Sequence, residues 1–350
     1  MTQRRIRVLI ADDSLVAREM LAQILTSDPE IEIAGTARDG EEATRMVADL
    51  KPDLVTMDIH MPKMDGLDAV SHIMAYSPVP ILVVSSSVHG DTGVAFDALK
   101  CGALEVMKKP EPRDWEDLQR IGKDLIRRVK MLSRVKVITH LAGRKRIERA
   151  SQRTDLLSSH EHGGFGLVAV GSSTGGPSAL MTMLGALPKD LPVPVVIAQH
   201  IAEGFIPGLV DWLDGGCAIS VRAAAHREVP KPGFAYLAPT GRNMEYDGRV
   251  VRFAEPGKGQ LYIPSADTLF ESVAKSMRSA AIGVILTGMG ADGAHGLKKM
   301  RDAGGATIAQ DEKTSTVFGM PKAAADLGAA GEVLPIEGIG PEVARLLGCC

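Results

Sequence analysis

The chain has 350 residues, of which 45 % are hydrophobic and 24 % charged, the makeup of a soluble globular protein long enough for two cores. Aromatic residues are only 4 % and the formal net charge is −3, which argues against base-stacking platforms and against a general attraction to nucleic acid or acidic lipid. Cys101, Cys217, Cys349 and Cys350 show neither a CxxC pair nor zinc spacing, and the last two lack the spacing of a prenylation box, so a reduced, cytoplasmic setting is expected.

The first apolar run, IRVLIAD, reads as a strand and meets Asp12 and Asp13 too soon to be a signal peptide. SLVAREMLAQIL comes next as a helix, with Ser14 as N-cap and Leu21, Ile24 and Leu25 on one face. IEIAGTA, LVTMD, PILVVS and EVMKKP are further strands with helical patterns between them, the alternation of a parallel sheet covered on both faces. Trp115, Leu118, Ile121, Leu125, Val129 and Leu132 then recur at helical spacing, predicting a last helix that packs on the sheet and extends out of the domain. From Ser133 to Gly164 periodicity is lost. Arg144, Lys145, Arg146, Arg149 and Arg153 crowd this stretch, which reads as a solvated linker rather than a docking patch.

A second series starts at Phe165. GLVAV, VPVVIAQH and AAIGVILT are near-continuous apolar runs, as in strands buried on both faces. FAYLAP and MEYDGRVVRFAEP add strands, the latter with a hairpin turn at Asp247-Gly248. The fold class expected is α/β: a flavodoxin-like unit with a five-stranded parallel sheet, then a doubly wound, mostly parallel unit with an antiparallel hairpin. The boundaries expected are 1–125, a linker over 126–164, and 165–350.

Chemistry-bearing residues fall at strand C-terminal ends, where open parallel sheets bind ligands. In the first unit these are Asp12, Asp13 and Asp58, with Ser85 and Lys109. Clustered carboxylates suit Mg²⁺, and an aspartate beside a hydroxyl and an ammonium suits phosphoryl transfer. In the second unit they are Ser172 or Ser173 in GSSTGG, His200, and Asp292 in TGMGADG. The glycine spacing fits neither a dinucleotide loop nor a Walker loop. A serine, a base and an orienting carboxylate suit acyl transfer, with Gly288 and Gly290 letting backbone N–H groups approach an oxyanion. The residues alone also allow a plainer reading: His200 as a structural histidine, Asp292 as a cap of HGLKKMRDA, and His226 or His295 as rival bases.

ADDS, TMDIHMPKMDG, VVSSS and KKP come in the order of a response-regulator receiver, and residues 4 to 125 resemble that family. The resemblance implies phosphorylation of Asp58 by a histidine kinase. It implies Mg²⁺ held by Asp12, Asp13, Asp58 and the Ile59 carbonyl, with Ser85 and Lys109 as switch residues. Val106 stands where receivers often carry an aromatic switch residue, which argues against signalling by an aromatic flip. GSSTGG, AQHI, YLAPTGRNM, PSADTLFESVA, GVILTGMGADG, IAQDEKTSTVFGMPKAA and GEVLP make residues 165 to about 347 resemble the CheB family of chemotaxis methylesterases. That resemblance implies hydrolysis of glutamate γ-methyl esters, and deamidation of glutamines, on methyl-accepting chemotaxis receptors. It implies Ser173 as nucleophile, His200 as base, Asp292 as orienter, and the Met289 N–H with Thr174 near the oxyanion. The ester reaction would take no cofactor, and the enzyme would be a cytoplasmic monomer with neither nucleic acid nor membrane insertion. Departures are Ser172 for a small apolar residue, Asn243 for a frequent His, and Ile263 for a frequent Arg. The weaker readings are a non-catalytic scaffold that binds receptors or adaptors, and a regulator with DNA-binding output.

Overall fold

A computed structural model describes residues 4–85, 92–137, 164–257 and 260–349. The basic run between Arg144 and Arg153, and Cys350, lie outside them. Strands and helices alternate through the first part: β1 (Ile6–Ala11), α1 (Leu15–Thr26), β2 (Ile31–Ala37), α2 (Gly40–Leu50), β3 (Leu54–Met57), α3 (Gly66–Tyr76), β4 (Ile81–Ser85), α4 (Thr92–Lys100), β5 (Glu105–Lys108) and α5 (Trp115–Leu132). The strands pair in parallel, in the order β2-β1-β3-β4-β5. This is the flavodoxin-like arrangement expected from the alternation.

Local sequence explains where the helices begin. Ser14, Asp39, Asp65 and Asp114 each accept a hydrogen bond from the backbone N–H three residues on. Each such cap stabilises by about 1 kcal/mol. Leu125, Val129 and Leu132 of α5 are buried with Val8, Ile10, Leu82 and Val84 of the sheet. The apolar stripe thus stays in this core as far as Leu132, beyond residue 125, where the domain was expected to end. Trp115, the first member of the stripe, remains 72 % exposed.

The division between two compact units falls between α5 and the next strand. The second unit runs β6 (Leu167–Ser172), α6 (Gly176–Gly185), β7 (Val195–Gln199), α7 (Ile206–Asp214), β8 (Ser220–Ala223), β9 (Phe234–Leu237), β10 (Asn243–Tyr246), β11 (Val251–Ala254) and α8 (Ala266–Met277). It continues with β12 (Ala281–Ile285), α9 (Ala294–Asp302), β13 (Ala306–Gln310), α10 (Met320–Asp326), β14 (Glu332–Leu334) and α11 (Ile336–Leu346). The order β14-β13-β12-β6-β7-β9-β8 is parallel at every pairing, while β10 and β11 form a separate antiparallel pair. From β6 the chain builds outward through β7, then returns to lay β12 on the other side of β6. The crevice outside the C-terminal ends of β6 and β12 is therefore a topological switch point, where α/β sheets place ligands. Strands β8, β13 and β14 were not anticipated. Two of them are edge strands of four and three residues, too short to show periodicity.

Candidate active site

In the first unit, the C-terminal ends of β1, β3, β4 and β5 bring the acids together. One carboxylate oxygen from each of Asp12, Asp13 and Asp58 lies within 4.8 Å of the others. Lys109 Nζ sits 2.7 Å from Asp58 Oδ2 and 2.9 Å from Asp12 Oδ2, and its backbone N–H donates to Ser85 O at 2.8 Å. Asp58 Oδ1 accepts from the Ile59 N–H at 2.8 Å. Burial raises the Asp58 carboxyl above the usual carboxylate range; Lys109 opposes this and the nearby Asp12 adds to it. Burial works to lower Lys109, but its bonds to Asp58 and Asp12 prevail and raise it. Three carboxylates facing one ammonium leave excess negative charge on hard oxygen donors, a set that fits Mg²⁺. The Ile59 carbonyl accepts from Gly66 N at 2.8 Å and keeps a second lone pair. Ser85 is buried at the end of β4, and Val106 is half-buried on β5 opposite Val83.

In the second unit, Ser173 lies just past β6, His200 just past β7, and Asp292 on the loop after β12. His200 Nε2 is 2.8 Å from Asp292 Oδ2. Asp292 is further held by Ser265 Oγ at 2.8 Å, Ala266 N at 2.7 Å and Asp267 N at 3.2 Å, the first turn of α8. Burial pushes its carboxyl up, but the His200 bond, then these donors, prevail and hold it below the usual range. An ionised Asp292 accepts a hydrogen bond from the Nε2–H, so His200 Nδ1 carries the lone pair. That atom is buried and has no hydrogen-bond partner among the described residues. Tyr262 stacks on the ring at 4.8 Å, with an interplanar angle of 8°.

Neither rival histidine shares this setting. His226 accepts from the Phe253 N–H through Nδ1, and exposed His295 lies near Asp267. Ser173 is buried, its N–H donates to Thr287 O at 3.1 Å, and its Oγ makes no hydrogen bond to His200. Resting enzymes often close that contact only around substrate. A Cβ on Gly288 would stand 2.8 Å from Ser173 Cβ, so only a bare glycine lets the β12 loop come this close to the serine. The Met289 N–H makes no hydrogen bond among the described residues. Thr174 is buried and its carbonyl accepts from Thr287 Oγ1 at 3.0 Å.

Several supporting residues were not foreseen. Tyr262 sits in a loop and gave no sequence signal. Ser265 could have been found as the N-cap of α8, since its Oγ also accepts from Thr268 N. Asn243 is buried: its Oδ1 accepts from Ser265 N at 2.9 Å, and its Nδ2 donates to Gln260 Oε1 at 2.8 Å. Ser172 does more than occupy a small site, because its hydroxyl donates to Gln199 Oε1 at 2.6 Å.

Residues 168–343 match the family model CheB methylesterase, and residues 8–119 match the response regulator receiver domain. A protein-glutamate methylesterase/protein-glutamine glutaminase of Syntrophus aciditrophicus is 44 % identical over 98 % of this chain and 99 % of its own. One from Anaeromyxobacter dehalogenans is 42 % identical over 96 % and 95 %. The crystal structure of the Thermotoga maritima CheB methylesterase catalytic domain is similar at a TM-score of 0.50 and 38 % identity, covering 52 % of this chain and 98 % of that one. No described helix is long and apolar enough to cross a membrane. With a family model matched over half of the chain and relatives more than 40 % identical over nearly all of it, this chain belongs to the CheB methylesterase family.

Proposed function

We propose that the chain hydrolyses glutamate γ-methyl esters and deamidates glutamines on methyl-accepting chemotaxis receptors, and that phosphorylation of Asp58 by a histidine kinase raises this activity. The observation that carries the reading is the half-buried His200–Asp292 pair, with the buried Nδ1 left as an unpartnered base beside the Ser173 turn. Ser173 Oγ attacks the γ-carbonyl carbon as its proton passes to His200 Nδ1. The negative charge that develops on the carbonyl oxygen is met by the Met289 N–H and the Thr174 side of the loop. The C–O bond to methanol, or the C–N bond to ammonia, then breaks as the imidazolium returns the proton to the leaving group. Water attacks the acyl-serine by the same route and frees the glutamate carboxylate and Ser173. Asp292 holds the tautomer and offsets the charge on the ring.

In the receiver, Mg²⁺ when bound supplies positive charge for the phosphoryl oxygens, and Asp12, Asp13, Asp58 and the Ile59 carbonyl would hold it. Asp58 offers the accepting oxygen and Lys109 balances the product's charge. The decisive experiment is methanol release from membranes carrying methylated receptors. Ser173→Ala abolishes it, while Ser172→Ala keeps activity within about fivefold, since it loses one hydrogen bond worth ~1 kcal/mol. Activity retained in Ser173→Ala overturns the assignment.

A further inference from the structure

Gln199 is the last residue of β7 and is 2 % exposed. The β6–β7 ladder ends at the Ser172–Gln199 pair, and the last backbone bond across it runs from His200 N to Ser172 O at 3.0 Å. One step further along each strand stand Ser173 and His200, where the ladder no longer joins the two backbones. The Gln199 side chain spans that gap. Its Nε2 donates to Ser173 O and to His200 O, both at 2.9 Å, and its Oε1 accepts from Ser172 Oγ at 2.6 Å. Both Nε2 partners are carbonyl oxygens, which only accept, so the orientation of the amide is fixed and both its protons are used. The fit is close on the remaining side too. A Cβ on Gly176, at the start of α6, would fall 2.1 Å from Gln199 Oε1.

We propose that Gln199 is a positioning residue for ester hydrolysis: its amide sets the separation of the nucleophile and base loops. The proposal rests on the reading of Ser173 and His200 given above. Ser173 Oγ has no hydrogen bond to His200, so their separation is fixed by how their backbones are held. A displacement of about 1 Å at such a pair costs on the order of 10²-fold in rate. Substrate contacts are untouched, so the cost falls on turnover rather than on binding.

The test uses the full chain and methanol release from methylated-receptor membranes, with a melting curve for each variant. Gln199→Met keeps the length and removes all three bonds. We expect kcat to fall about 10²-fold with KM within about twofold. Gln199→Glu keeps the acceptor for Ser172 but, when ionised, has no donor for either carbonyl. Once protonated it regains one donor, so the ratio of its kcat to that of the wild type rises about tenfold as pH falls, and the Gln199→Met ratio stays flat. Wild-type kcat in Gln199→Met, or a Gln199→Glu kcat equal to that of the wild type at every pH, overturns the proposal. Where Gln199→Met fails to fold, the Gln199→Glu profile decides alone. Ser173→Ala run in parallel separates the two readings. If it retains turnover, the serine assignment fails whatever Gln199 does; if it is inert while Gln199→Met is fully active, only the brace fails.

Discussion

Two carboxylates with opposite displacements mark the two centres. Asp292 is held below the usual range, so it favours the folded state once pH exceeds the ordinary carboxylate value, and this contribution is lost as pH falls through its lowered value. Asp292→Asn should lose part of the acid-induced drop in the melting temperature of the second unit. The same change should lower kcat about 10³–10⁴-fold, because an amide no longer fixes the His200 tautomer. Asp58 is raised, so its contribution is complete at low pH and lost as pH climbs through its raised value. At neutral pH the buried Asp58 carboxyl is therefore a net burden on the receiver. Asp58→Asn should melt a few degrees higher at pH 7, with the gap closing toward pH 4. Mg²⁺ should raise the melting temperature of the wild type more than that of Asp58→Asn, since a bound cation stabilises by linkage. An equal response in both would place the cation elsewhere.

At the level of elements, helix α8 holds the orienting acid, and the β10–β11 hairpin holds α8. Asn243 on β10 accepts from Ser265 N, Ser265 caps the helix, and its hydroxyl donates to Asp292. Ser265→Ala removes the cap and one Asp292 donor together. It should cost about 1 kcal/mol of stability and about tenfold in kcat, checked by thermal melts and initial rates. Normal kcat despite lost stability would mean that Asp292 is held without it. This element also shows where sequence stopped being informative. The strands and their terminal Ser, His and Asp were legible because buried parallel strands are apolar runs whose C-terminal ends open onto the crevice. The stack of Tyr262 on His200 was not legible, since a loop aromatic carries no period. The Asn243–Ser265 bond was equally hidden, because it joins a hairpin to a helix 22 residues away. Ser173 and Ser172 were separable only by resemblance, and the Ser172 bond to Gln199 needs two strand ends side by side.

For the whole molecule, one chain carries a phosphorylation centre and a hydrolase. Initial rates of the full chain should rise with acetyl phosphate and Mg²⁺, and residues 164–350 alone should exceed the unphosphorylated full chain. If the fragment is no faster, the receiver does not restrain the hydrolase. The position of β12 between β6 and β13 bears on how the hydrolase comes into being. Thr287 Oγ1 reaches Thr174 O across 113 residues of sequence, and His200 meets Asp292 across 92. Contacts of such long range form slowly, because the loop entropy is lost before the pairing returns it. While the polypeptide is being synthesised, β6 is a bare edge until β12 emerges, and no partial hydrolase exists before then. Ester cleavage is thus a late marker of folding: a nascent chain halted before Ala281 would contain Ser173 and His200 and turn over nothing.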